Sequence, residues 1–523
     1  MKTMNNSAAG TKVSSRDPKL LAGHPLASRI GIGALATFAL LGAALRLRLY
    51  SSNRSLWQDE IKLAQNFMSR DLLELLTVPL ASEQSVPPGF LVSTRAAVAI
   101  LGPYEWVFRL TPFIAGVLLV ILAVVLAQRE LKSTAARVSF VGLVALSPVL
   151  IFYSTEFKQY SSDALLSLCI LLAVSYRTLR YGTWILAGVG FVAIVYSLPA
   201  IFVAASAALL ILWEGIYSSR WKRVVAVGLA WGAGTALHAA YFLKAGVDRE
   251  EMQQSWGEGF APFPPDSIGD FLWYPNALSR LTFWVFKQQD PYSGIWVDPW
   301  GWLFVFVLLI AAVAVFVSRR ATAIVAVGAI LMTLVASGFQ VYPFYGRVLV
   351  FLVPITLFIL ATGIDELNRY AGTLAAGVAT LLMLSLVVPA AIQNAATPQF
   401  VSDMRGALKR VESKVQDGDV ILVWGTMELY RYYSRRTGFA DAPAVRISYR
   451  GTPHYTLADG SKTPSLAEYV ENKGYRRVWF VTAFKERKSR GFVDRIARSV
   501  PILFDWKTRG TRVVLFDFAA RDL

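Results

Sequence analysis

Ile30-Gly-Ile-Gly-Ala-Leu-Ala-Thr-Phe-Ala-Leu-Leu-Gly-Ala-Ala-Leu-Arg46-Leu-Arg48-Leu-Tyr50 is an apolar run, and four residues later the chain reads Ser55-Leu-Trp-Gln-Asp59-Glu60-Ile-Lys62. As a helix the run is long enough to cross a bilayer core roughly 30 Å thick, which puts Asp59 and Glu60 at the membrane edge. Carboxylates beside low-dielectric surroundings are costly unless they perform a task. A second polar cluster, Tyr153-Ser-Thr-Glu156-Phe-Lys158-Gln159-Tyr160-Ser-Ser-Asp163, lies between two later apolar runs. The expectation that organises all others is that these clusters meet on one face of a membrane and form a site.

Composition supports the membrane. The 523 residues are 55% hydrophobic and only 17% charged, with mean hydropathy +0.47. The apolar residues come in recurring blocks of about 17–22, as spanning helices require. One cysteine, Cys169, excludes an intrachain disulfide. The net charge of +17 belongs, in such a chain, to loops and tails, so nucleic acid is not an expected partner. Residues 1–27 read as a disordered cytoplasmic tail with Lys2, Lys12, Arg16 and Lys19. The next run is too long for a signal-peptide core and lacks a cleavage site, so it is retained.

Lys/Arg-rich loops orient the spans with the N-terminus cytoplasmic. Arg46, Arg48 and Arg54, at the outer end of span one (28–50), argue against this orientation. Residues 51–105 form a periplasmic loop with amphipathic stretches at 61–68 and 72–76. After Pro87-Pro88 comes a surface-lying helix that carries Arg95. Spans follow at 106–127 and 138–152, then one ending at Arg177 and Arg180, then 183–197, 199–214 and 224–243. Residues 245–299 are a second periplasmic loop, rich in Trp and Pro. Later spans end at Arg319-Arg320, Gln340, Arg369 and Ile392. The fold class is a polytopic α-helical membrane protein of about 11 helices over residues 28–395.

Residues 400–523 differ. Strand patterns at 419–425, 477–482 and 512–517, with helical ones at 427–436 and 492–499, indicate a small soluble α/β domain, periplasmic by parity. It holds 23 Lys+Arg against 14 Asp+Glu. That surplus suits anionic lipid or a phosphorylated glycan, or is simply a solvated surface.

Four features in order carry a resemblance. They are Asp59-Glu60 in the first outer loop; Pro87-Pro88-Gly with Trp106-Val-Phe-Arg109-Leu-Thr-Pro112; Ser147-Pro148 leading into Tyr153–Tyr160; and Tyr342-Pro-Phe-Tyr345-Gly-Arg347. The chain resembles the GT-C superfamily of integral-membrane glycosyltransferases. Within it, the family 39-like bacterial branch is most similar, with its lipid A aminoarabinose transferases and rhizobial galacturonosyltransferases; protein O-mannosyltransferases are more distant. The third feature is similar to that family's YSxEARPY pattern, with Phe157-Lys158-Gln159 in place of Ala-Arg-Pro. The resemblance implies sugar transfer from a polyprenyl-phosphate donor to lipid A, a polysaccharide, a glycolipid or a protein. It places the reaction at the periplasmic face of a bacterial inner membrane.

The chemistry of the residues agrees. An acceptor hydroxyl attacking an anomeric carbon needs a base, and a partly desolvated carboxylate suits that task. Asp59 is the expected base, with Glu60 positioning it or the acceptor. The departing lipid phosphate needs cations placed in advance: Arg347 first, beside the turn at Tyr345-Gly346, then Lys158, Arg109 and Arg95. Glu156, Gln159 and Tyr160 complete the expected substrate-binding set. One carboxylate acting in one displacement implies inversion, unlike a double-displacement pair. Plainer readings stand beside these: Asp59-Glu60 as a helix N-terminal charge pair, Glu156 with Lys158 as a surface ion pair, and Arg95 and Arg109 as structural. His24, His238 and His454 have no zinc spacing. No cofactor is required, although Asp59 and Glu156 can supply oxygen ligands for Mg2+ or Mn2+. The competing class, a flippase for a lipid-linked sugar, calls for internal repeats and midplane charges; the sequence shows neither.

Overall fold

The computed structural model describes residues 25–244, 253–286 (without 255), 299–397, 401–424, 427–435, 444–447, 455–456, 462–463 and 469–520 (without 471, 484–490, 492 and 509). The expected tail, as far as residue 24, lies outside the described residues, as do 245–252 and 287–298 of the second expected loop and His454.

The first apolar run is helix α1 (Pro25–Ser51), followed by α2 (Gln58–Ser69), α3 (Leu72–Thr77) and α4 (Pro88–Leu101). Next come α5 (Glu105–Phe108), α6 (Leu110–Glu130), α7 (Thr134–Leu146), α8 (Pro148–Tyr153) and α9 (Tyr160–Tyr176). The bundle continues with α10 (Gly182–Tyr196), α11 (Ala200–Ser218), α12 (Trp221–Lys244) and α13 (Ile268–Phe286). It closes with α14 (Pro299–Ser318), α15 (Ala321–Gly338) and α16 (Leu352–Ala396). Seven of these, α1, α6, α11, α12, α14, α15 and α16, are long and apolar enough to cross a membrane, and α4, α7, α9 and α10 are shorter apolar helices. The chain is a multi-pass membrane protein. The 45-residue α16 holds both final expected spans and bends between them at Gly372 (φ 85°), a left-handed backbone that glycine adopts at little cost.

Three expectations are corrected. The second span is two helices, α5 and α6, that meet at Arg109. The third breaks at Ser147, because a residue before proline is driven out of the helical region. The loop expected at 245–299 contains the 19-residue helix α13, with Pro275 inside it.

The break at Ser147 exposes backbone acceptors, since Pro148 has no N–H to give the Val144 carbonyl. Buried Arg46 fills the gap by donating to the carbonyls of Val144 (3.1 Å), Ala145 (3.0 Å) and Gly42 (2.9 Å). Inside a bilayer such groups must find protein partners.

Contacts sort the connecting segments into two ends. At one, Asp365 accepts from the Lys132 and Ser133 amides and pairs with Arg320, and Arg177 and Arg223 both pair with Glu214. Arg129 joins these two groups by bonding Ser175. At the other end meet residues 54–60, 155–158, 259 and 344–347.

The terminal domain begins with α17 (Met404–Glu412), then β1 (Val420–Trp424), α18 (Met427–Ser434) and β2 (Ala444–Ile447). Short strands β3 (Tyr455–Thr456) and β4 (Lys462–Thr463) precede β5 (Arg477–Ala483), β6 (Ile502–Thr508) and β7 (Thr511–Asp517). The main sheet has the order β2-β1-β5-β7-β6, with β1 parallel to β2 and β5 and the β5–β7–β6 ladder antiparallel. Alternation along the strands gives the sheet two apolar faces. Ile421, Val423, Trp479, Val481, Val513 and Leu515 share one core with Leu56, Ile61, Phe67, Phe90 and Phe108 of the membrane domain. The domain is therefore packed onto the expected first loop by a continuous core.

Candidate active site

The segment 54–60 is built around Glu60. Its carboxylate is fully buried, with Oε1 accepting from Arg109 Nε (3.0 Å) and the Phe157 amide (2.7 Å), and Oε2 from Arg109 Nη2 (2.6 Å) and the Trp57 amide (3.2 Å). Burial pushes this carboxyl up, but the Arg109 and Arg54 guanidiniums and the hydrogen bonds outweigh it and hold it below its ordinary value. Arg109 also donates to the carbonyls of Arg54 and Ser55. Glu60, expected to position Asp59 or the acceptor, and Arg109, expected either to bind substrate or to be structural, are both buried and bonded to each other. Glu60 does bond back to the amide ahead of α2, so the helix N-terminal reading of this residue is realised.

Asp59, one residue earlier, points elsewhere. Its Oδ2 pairs with Arg347 Nη1 at 2.7 Å, and both side chains keep about a fifth of their surface exposed. Asp59 Oδ1 makes no hydrogen bond among the described residues. Arg347 also lies 5.5 Å from the Trp57 ring, in a 3-10 turn that starts at Gly346 (φ 57°) beside Tyr345.

The second cluster is brought to the same place. Glu60 bonds the Phe157 amide, Arg54 bonds the Thr155 carbonyl (3.2 Å), and Glu156 and Lys158 both lie within electrostatic reach of Asp59 and Arg347. Glu156 is buried and its Oε1 has no hydrogen-bond partner. Burial, reinforced by Glu60, pushes its carboxyl up to about 7. Burial likewise lowers Lys158 to about 8, and its ammonium donates to Gln84 rather than pairing with Glu156. Gln159 caps α9 with an unpartnered buried Oε1, and Tyr160 follows within reach of Arg347, Glu156 and Asp59. Arg95, half-buried on α4, forms no ion pair with this group among the described residues.

Arg280 on α13 escaped the sequence reading. Its guanidinium lies 5.6 Å from the Tyr345 ring and 6.0 Å from that of Trp273, and its Nε is buried without a partner. Among the described residues no carboxylate pairs with it. The only signal in the sequence is the seven-residue spacing from Trp273, which places both on one helix face.

Asp59 and Glu156 do not make a fitting divalent-ion site. Arg54, Lys158 and Arg347 already bring positive charge to them, Arg347 holds one Asp59 oxygen, and Glu60 is spent on Arg109. Among the described residues no three His, Cys, Asp or Glu gather. A hard cation wants several uncommitted oxygens.

The membrane bundle with its appended mixed sheet has an ArnT-like fold, the fold class expected from the sequence. The chain is similar in structure to ArnT from Cupriavidus metallidurans bound to undecaprenyl phosphate, with TM-score 0.50 and 12% identity over 92% of this chain and 97% of that one. It is also similar to ArnT from the same organism in the apo state (TM-score 0.49, 13% identity, 92% and 98% covered). A third similar structure is the Archaeoglobus fulgidus oligosaccharyltransferase in complex with zinc and sulfate (TM-score 0.47, 14% identity, 91% and 72% covered). No family model and no curated protein matches the sequence.

Proposed function

We propose that the chain is an inverting glycosyltransferase that moves a sugar from a polyprenyl-phosphate-linked donor to a cell-envelope acceptor. The acceptor class is lipid A, a polysaccharide or a glycolipid, met at the periplasmic face of a bacterial inner membrane. The observation that carries the reading is the part-exposed Asp59–Arg347 pair, with Asp59 Oδ1 open beside Glu156 and Lys158.

In this reading Asp59 Oδ1 takes the proton of the acceptor hydroxyl as its oxygen attacks the anomeric carbon. The bond from that carbon to the phosphate oxygen breaks, and the electron pair leaves with the polyprenyl phosphate. Arg347, Lys158 and Arg280 stabilise the charge that develops there. A single displacement inverts the anomeric centre. Glu60 and Arg109 touch neither substrate; they hold the base. The structurally similar ArnT is bound to undecaprenyl phosphate, which supports a polyprenyl-phosphate-linked donor.

The test is transfer by purified protein from a synthetic polyprenyl-phosphate sugar to an envelope extract, read as released polyprenyl phosphate. Wild type should turn over and Asp59→Asn, expressed at wild-type level, should not. Near-normal turnover by Asp59→Asn would remove Asp59 from the role of base.

A further inference from the structure

We infer that the terminal domain holds the catalytic loop in place, through the Tyr433 hydroxyl and the Asp403 carboxylate acting on residues 55 and 56. Its catalytic meaning rests on the function proposed above. Residues 54–56 lie just before the helix that carries Asp59, and their polar groups are gripped from two sides. From the membrane domain, Arg109 takes the carbonyls of Arg54 and Ser55. From the terminal domain, Asp403 Oδ1 accepts from Ser55 Oγ at 2.7 Å, and the Tyr433 hydroxyl accepts from the Leu56 amide at 2.6 Å.

These partners are themselves fixed. The Asp403 amide donates to Thr511 Oγ1 on β7 (2.7 Å), and the same Asp403 oxygen caps α17 at Gly406. Tyr433 is buried, and Arg405, 5.8 Å from its ring, pairs with Glu105 at the start of α5. Arg109, directly after α5, is the residue that clamps Glu60. The domain thus reaches the loop directly, and again through the helix that leads into Arg109. The Leu56 amide has no water to turn to, since Leu56 is fully buried; without Tyr433 it loses its acceptor. Tyr433 and Ser55 are on this account positioning residues, acting through the loop on Asp59.

The experiment compares full-length wild type, Tyr433→Phe and Ser55→Ala by hydrogen–deuterium exchange of residues 53–60 and by donor-dependent kinetics. Tyr433→Phe keeps the buried ring and removes only the acceptor. The 53–60 amides should exchange about tenfold faster, and kcat should fall about tenfold, the size of one lost hydrogen bond. The donor KM should stay within about twofold, because the bond acts on the base rather than on donor binding. Ser55→Ala should do the same more weakly, and Ser55→Thr should restore it. Unchanged exchange at 53–60 in Tyr433→Phe, or a lowered Tm with kcat intact, would overturn the inference. Wild-type protein inert toward every donor would sink the glycosyltransferase reading alone, while the exchange result would still decide whether the domain holds the loop.

Discussion

The two ends of the bundle use the same residue types and treat them differently. At one end Asp365 has both oxygens filled, by the Lys132 and Ser133 amides (2.8 and 2.7 Å) and Arg320 (2.6 Å). At the other, Glu60 is filled in the same way, yet its neighbours Asp59 and Glu156 each keep an oxygen without a partner. Buried polar groups are normally satisfied; Glu156 Oε1 is a buried exception, whereas part-exposed Asp59 can meet water at its open oxygen. Under the proposed function Asp59 acts on the substrate and Glu60 holds Asp59, a division within one dipeptide.

Several measurements can break or sharpen that division. The largest expected effect is on turnover: Asp59→Asn should lower kcat by about 1,000-fold, within the range for a lost general base, with Tm nearly unchanged. Glu60→Gln should act on stability instead. It unbalances a buried pair and should cost roughly 3–5 kcal/mol in denaturant or thermal unfolding. Asp365→Asn, at the opposite end, should lower Tm with kcat intact; a turnover defect there would erase the contrast. Arg280→Ala should lower kcat by about 30-fold and leave Tm within a few degrees, if its charge serves the departing phosphate.

The smallest effect is a slope. Glu156 sits at about 7 in the folded chain against an ordinary 4.5, so folding favours its protonated form. Its contribution to stability is complete below about 4.5 and is lost as pH rises through about 7. Melting curves across that window should be flatter for Glu156→Gln than for wild type.

Much of the bundle was legible because a bilayer forces apolar residues into blocks of fixed length, and α1, α6, α12 and α15 fall close to where those blocks lie. The helix α13 was not legible. Asp270, Tyr274, Pro275, Asn276 and Arg280 dilute its apolar residues, so it reads as loop until the surrounding protein is known. Strand β6 was missed for another reason: Phe504-Asp505-Trp506-Lys507 alternates as an edge strand does, but over too short a stretch to stand out. In the site, the acidic dipeptide and the Glu156–Tyr160 segment were readable as chemistry. That Asp59 acts and Glu60 positions was itself an expected assignment; what was not legible is which groups fix each carboxylate, because Arg109, Phe157 and Arg347 arrive from distant segments. The tie from Tyr433 spans 377 residues of chain and leaves no local pattern at all.

Arg46 bears on how sidedness is read from cationic residues. Three arginines near the C-terminal end of α1 weigh against the expectation that this end lies outside the cell. Yet Arg46 is spent on backbone carbonyls at the broken helix, and Arg54 is buried, 4.3 Å from the Phe152 ring and bonded to Thr155. Only Arg48 faces outward. A guanidinium enlisted to mend an interrupted helix casts no vote on which compartment lies beyond it, so the tally at this end shrinks from three to one.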